Sequence, residues 1–212
     1  MSGRTDGTAL VVIDVQNDYC HPDGVFARAG LTVEALPELV TAINTLVAAA
    51  RAGGHPVMWV RMEWSGDGEV GLLGERSPFL RHAGLRAGTW GGELVSGLDV
   101  RDGDIEIVKT RFSAFYETPL AQMLQERGIG RIVVAGVRTD FCVESTVRDA
   151  FFRDLKAVVV TDAVAGYFDE LHRASLRVMG TVFADVTDLN AATALLNGLP
   201  ATAAGATTND EE

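Results

Sequence analysis

Residues 132–152 read IVVAGVRTDFCVESTVRDAFF, and the two halves of that stretch follow different periods. Residues 132–135 form a short unbroken apolar run, the pattern of a strand covered on both faces of a parallel sheet. From Val143 onward the apolar positions Val143, Val147, Ala150 and Phe151 recur at three- and four-residue spacing, which puts them on one face of a helix. A strand that runs straight into a helix is half of a βαβ unit, the unit that builds parallel sheets with crossover helices. The same alternation continues outward on both sides. Upstream lie apolar runs at 9–13, 56–60 and 105–108, a helical period over Leu36–Ala52 closed by Gly53-Gly54, and another over 119–127 with Pro119 in its first turn and Gly128 just past its end. Downstream come a strand at 157–161, a helix near 170–179, a last strand around 181–184 and a short helix from Asp188. The expected fold class is α/β: a three-layer αβα sandwich around a mostly parallel central sheet of about six strands.

Residues 63–97 break the rhythm, with nine glycines, the rings of Trp64, Phe79 and Trp90, and no sustained period. A stretch of this length is either a solvated insertion or a functional one. The functional reading is a lid whose rings form apolar walls and whose glycines permit hinge movement. The expected organisation is a single α/β domain over 1–190 carrying this lid-like insertion, then a short helix and a disordered acidic tail over 191–212.

With 212 residues, 47% hydrophobic and 22% charged, the chain can bury one full core. Its apolar runs fall far short of the ~20 residues that a membrane-spanning helix needs. The opening MSGRTDG lacks the basic-then-apolar pattern of a secretory signal, so a cytoplasmic location is expected. A formal net charge of -11 disfavours nucleic acids and anionic membranes as partners, which leaves small molecules. The only cysteines are Cys20 and Cys142, and a reducing compartment gives no reason to pair them.

Ligand sites in open parallel sheets lie beyond the carboxyl ends of the strands. Asp14 directly follows one apolar run, Lys109 directly follows another, and Cys142 follows a third through a short connection. All three therefore belong to one rim. Cys142 also precedes a helix, whose unpaired N–H groups favour a thiolate and can receive an oxyanion. None of the four histidines, at 21, 55, 82 and 172, is well placed to be its base. Asp14 can take that role if burial raises its pKa, with Lys109 offsetting the charge.

The segments ALVVIDVQNDYCHPDGVFARAG, VKTRFSAFYETPL and VVAGVRTDFCVESTVRDAFFRDLKAVVVTDAVAG, in that order, resemble the three motifs of the isochorismatase-like cysteine hydrolases. The resemblance spans roughly 9–188. It implies that Asp14 is a general acid/base, Lys109 its partner and Cys142 the nucleophile. It also implies a non-proline cis peptide at Val137-Arg138 and an oxyanion hole made by the backbone N–H groups of Arg138 and Cys142. Gln16, Tyr19, Trp64, Trp90, Phe112 and Phe141 are the expected substrate-binding residues. Arg138 departs from the family, many members of which carry a small residue there. Its side chain reads either as solvated, the preferred reading, or as reaching a carboxylate on the substrate or on a neighbouring subunit.

By resemblance, isochorismate-cleaving members lack the nucleophilic cysteine, so Cys142 points to amide rather than ether cleavage. Nicotinamidases resemble each other in an Asp-x-His metal pair after the second strand. Here that place reads VRMEWSGDG, so no metal and no cofactor are expected. CVESTVRDAFF, RFSAFYETPL and GTWGGELV are most similar to members acting on ureidoacrylate, biuret or N-carbamoylsarcosine. The expected function is a cysteine-dependent amidohydrolase of a small amide, ureido or carbamoyl compound, working through a thioester as a homo-oligomer. The alternatives are a nicotinamidase-like or isochorismatase-like hydrolase, or a non-catalytic binding protein on the same fold.

Overall fold

The structure, a computed structural model, describes residues 7–198. Of the helix and tail expected over 191–212, residues 199–212 lie outside the described residues. The chain runs β1 (Gly7–Ile13), α1 (Asn17–Cys20), α2 (Val25–Arg28), α3 (Leu36–Ala52), β2 (Val57–Met62), α4 (Leu72–Arg76), β3 (Ile105–Lys109), α5 (Leu120–Glu126), β4 (Ile129–Val137), α6 (Glu144–Phe152), β5 (Lys156–Ala165), α7 (Asp169–Val178), β6 (Asp185–Thr187) and α8 (Leu189–Leu196). Its strands form one six-stranded sheet in the order β3-β2-β1-β4-β5-β6, and every pairing is parallel.

Right-handed crossovers dictate the layers. The chain moves one way across the sheet from β1 to β2 and the other way from β3 to β4 and on to β5. Helix α3 therefore covers one face, where α8 packs beside it, and α5 and α6 cover the other. The central strands are buried on both sides, which is why β1 and the end of β4 are unbroken apolar runs. Helix α3 inserts Leu39, Ala42, Ile43, Leu46, Val47 and Ala50 at three- and four-residue spacing, each large side chain contributing about 1.5–3 kcal/mol by leaving water. It closes at Gly53-Gly54, with Gly54 left-handed at φ 71°.

The last strand differs from the expected one. Residues Met179–Phe183 prolong α7 as a wide helical turn, because Ser175 and Met179 are buried one turn apart and keep the helical face going through Gly180. The strand pairing with β5 starts four residues later than expected, at Asp185–Thr187.

Where β1 and β4 part, the backbones touch. A Cβ on Gly136 would lie 2.0 Å from the Ile13 carbonyl oxygen, and its φ is 115°. Only glycine satisfies both conditions. Strand order reverses between β1 and β4, so their carboxyl ends open the crevice in which such sheets bind ligands. Among the described residues no helix is long and apolar enough to cross a membrane.

Candidate active site

Asp14 is the first residue past β1, and its N–H extends the ladder by donating to the Val60 carbonyl at 2.8 Å. It sits at φ 54°, a left-handed conformation that Asp tolerates better than most residues. The carboxylate is thereby turned into the β1/β4 crevice. Lys109, the last residue of β3, starts two strands away, about 10 Å at ordinary strand spacing. Its long stem crosses the end of β2, and Nζ donates to Asp14 Oδ2 at 2.7 Å and to the Arg111 carbonyl at 3.0 Å. Both side chains of this ion pair are 0% exposed. Among the described residues Asp14 Oδ1 is buried and has no hydrogen-bond partner of ordinary geometry.

Cys142 reaches the same crevice from β4. The Val137-Arg138 peptide is cis, as the motif implied. Beyond it Thr139–Val143 forms a wide turn in which the N–H groups of Phe141 and Val143 both donate to the Arg138 carbonyl, at 3.2 and 3.1 Å. Thr146 ties this turn to the segment after β3: its Oγ1 donates to the Cys142 carbonyl at 2.7 Å and accepts the Ala114 N–H at 3.0 Å. Cys142 is buried, and its thiol interacts with both Asp14 and Lys109. The three residues that the sequence placed on one rim thus converge in one cluster.

The protonation states differ from the helix-start expectation. Burial pushes the Cys142 thiol well up, and the Asp14 charge pushes it further, against a smaller downward pull from Lys109. Cys142 sits in the wide turn before α6 proper, and the helix end does not offset burial. The resting sulfur is a thiol. Asp14 is also raised, by burial above all, with the Lys109 charge working against the shift. A carboxylate with heightened proton affinity therefore faces a protonated thiol, the arrangement that proton transfer between them requires.

A small cavity of about 60 Å³ opens onto Cys142. Of the expected substrate-binding residues, Tyr19, Phe112 and Phe141 line it, the latter two stacked with ring centroids 5.1 Å apart. The other three stand elsewhere. Gln16 is a buried staple: its amide donates to the Met62 and Gly92 carbonyls at 2.9 and 2.8 Å and accepts the Met62 N–H at 2.8 Å. Trp64 is fully buried and donates to the Thr110 carbonyl, and Trp90 is 47% exposed with its ring against His21.

The insertion contributes Leu73, Ser77, Phe79 and Leu80 to the cavity lining, and neither of its tryptophans. Phe26 and Leu31 complete the wall. Sequence reasoning missed these apart from Phe79, since they belong to short turns without a period. It also missed Asp18, a buried carboxylate that accepts the N–H of Val25 at 3.0 Å and of Leu85 at 2.6 Å and so anchors the insertion beside the site. Arg138 is not solvated: its side chain is 8% exposed and bound to Asp140. Among the described residues no group of three or more His, Cys, Asp or Glu side chains could hold a metal ion. Glu63, just past β2, is held by Arg61 at 2.8 Å.

The Isochorismatase domain model matches residues 8–191, and the chain belongs to that family of hydrolases. A ureidoacrylate amidohydrolase of Methylobacterium radiotolerans is 39% identical, the match covering 92% of this chain and 81% of that protein. Among solved structures, a cysteine hydrolase from Pseudomonas syringae superposes with a TM-score of 0.83 at 26% identity, covering 93% of this chain and 99% of that one. N-carbamoylsarcosine amidase from Thermoplasma acidophilum gives a TM-score of 0.71 at 27% identity, over 87% and 97% of the two chains.

Proposed function

We propose that this chain is a cysteine-dependent amidohydrolase that cleaves a C–N bond in a small ureido or carbamoyl compound. The observation that carries the reading is the buried cluster of Cys142, Asp14 and Lys109 at the mouth of an aromatic-walled cavity. The names of its relatives, a ureidoacrylate amidohydrolase and an N-carbamoylsarcosine amidase, point to the same substrate class.

In this mechanism the Cys142 Sγ–H proton moves to Asp14 as the sulfur forms a bond to the carbonyl carbon, and the C=O pair moves to oxygen. The backbone N–H groups of Arg138 and Cys142 receive that oxyanion. The C–N bond then breaks, Asp14 returns the proton to the departing nitrogen, and a thioester, or a thiocarbamate from a ureide, remains on Cys142. Water deprotonated by Asp14 attacks it, the C–S bond breaks, and the proton restores the thiol while the acid leaves. Lys109 orients Asp14 and keeps a buried anion tolerable throughout. The insertion serves as the lid that excludes bulk water. A homo-oligomer and a cytoplasmic location accompany this reading, supported by the exposed Phe152 and Val182 and by two free thiols.

A screen that reads ammonia or amine release from ureidoacrylate, biuret, N-carbamoylsarcosine and nicotinamide, and pyruvate release from isochorismate, tests the proposal. At least one ureide or carbamoyl compound should exceed nicotinamide and isochorismate in kcat/KM. Turnover of nicotinamide alone, with every ureide inert, would refute the substrate class.

A further inference from the structure

A guanidinium has two edges that can each grip a planar anion, and Arg138 uses one of them. Nε donates to Asp140 Oδ1 at 3.2 Å and Nη2 to Asp140 Oδ2 at 2.6 Å. Its Cζ lies over the rings of Phe141 and Tyr167, 4.1 and 4.4 Å from their centroids. The side chain is 8% exposed. Nη1 makes no hydrogen bond among the described residues. Nη1 is not sealed from solvent, so a ligand can reach it and supply the acceptor it lacks. Arg138 lines the same cavity as Cys142, and the rest of that wall is apolar save Ser77 and the Tyr19 hydroxyl.

We infer that the Nη1/Nη2 edge of Arg138 is the recognition point for a carboxylate on the substrate, making this enzyme selective for ureido acids over neutral ureides. The inference rests on the amidohydrolase reading above. Two parallel N–H···O bonds from a planar fork match a carboxylate and not a methyl ketone or an amide. Asp140 bears on the strength of this grip: it holds the guanidinium in place and offsets part of its charge, so the second anion is bound by a cation already half neutralised.

The test compares N-carbamoyl-β-alanine with its neutral isostere, in which methyl replaces one carboxylate oxygen, in wild type, Arg138→Gln and Asp140→Asn. Wild type should favour the acid by roughly 10- to 100-fold in kcat/KM, chiefly through KM, as expected for charge-assisted bonds. In Arg138→Gln that ratio should fall towards one, and in Asp140→Asn it should rise. Opposite movements are what a bracing role cannot give, since loosening the turn from either side would depress both substrates together. Calorimetric binding of propionate to Cys142→Ala, lost on adding Arg138→Gln, provides a readout independent of turnover. Hydrolysis of both ureides with no preference for the acid, or the same ratio in all three proteins, overturns the inference and leaves the amidohydrolase reading intact. Inertness of both ureides, with nicotinamide turned over, refutes the parent reading instead.

Discussion

Lys109 Nζ and Asp14 Oδ2 lie 2.7 Å apart at the ends of strands that do not pair with each other, and neither side chain is exposed to solvent. Each member makes the burial of the other tolerable. Lys109→Ala should therefore cost about 3–5 kcal/mol in urea unfolding, because an uncompensated carboxylate would remain in the core. The double variant Asp14→Asn/Lys109→Met, which removes both charges, should recover most of that stability and no activity. A Lys109→Ala protein as stable as wild type would show that water already reaches Asp14.

Replacing the nucleophile separates chemistry from folding. Cys142→Ala should lose about 10⁴-fold or more in kcat, with an unfolding midpoint within ~1–2 kcal/mol of wild type, since the lost side chain is small. Cys20→Ala should keep its activity: Cys20 is buried in α1 and does not line the cavity that opens onto Cys142. Activity that follows Cys20 instead would reverse the assignment.

The pH profile should carry the signature of the Asp14–Cys142 couple. The acid limb of kcat/KM reports protonation of the base, and because burial raises Asp14 in the folded protein this limb should fall above the ordinary carboxylate range. The thiol is held up by burial and by Asp14, so no alkaline limb should arise near ~8.5, the range of a free cysteine. The corresponding stability effect has a definite sign. A carboxyl raised above its unfolded value stabilises the fold fully at low pH, and that contribution is lost as pH rises through the folded pKa. Asp14→Asn should flatten this component in unfolding titrations.

Gly136→Ala should fail to fold or lose more than ~3 kcal/mol, since a Cβ there meets the Ile13 carbonyl at 2.0 Å and φ is 115°. Gly66→Ala, whose Cβ meets nothing within 4 Å, is the matched control and should be silent by thermal unfolding.

The insertion can be dissected by ring. Phe79→Ala should raise KM for the best ureide several-fold, because Phe79 lines the cavity and meets Phe26 edge-on at 5.4 Å. Trp90→Ala, which removes a half-exposed ring outside the cavity, should leave KM within about 2-fold of wild type on the usual scale of surface changes. The reverse ranking would mean that the tryptophan side closes over the substrate.

The sheet and the reactive rim were legible because strand-end position follows from periodicity: Asp14, Lys109 and Cys142 each terminate or closely follow an apolar run, and the switch point between β1 and β4 gathers them. The cavity wall was not. Trp64 and Trp90 drew attention as large rings in a glycine-rich stretch, yet which way a ring faces in an aperiodic segment depends on tertiary anchors such as Asp18 and Gln16. The protonation of Cys142 was misjudged for a related reason: a helix end is visible in the sequence, whereas burial beside a carboxylate is not. The strand placed at 181–184 lay four residues early because Val182 and Phe183 fit either period, and only the buried spacing of Ser175 and Met179 decides for the helical turn.

The central position of β1 also sets a timetable for synthesis. Leu10 pairs with Val57 on one side and with Val133 on the other, so one edge of the first strand waits for a partner made much later. At ~5–20 residues per second, the interval between those two partners lasts roughly 4–15 s. During it the bare β1 edge is open to stray pairing on the ribosome, the hazard that holding chaperones suppress. Asp14 and Cys142 meet only when β4 closes that gap, so a nascent chain carries its base for most of its translation with no nucleophile to act upon.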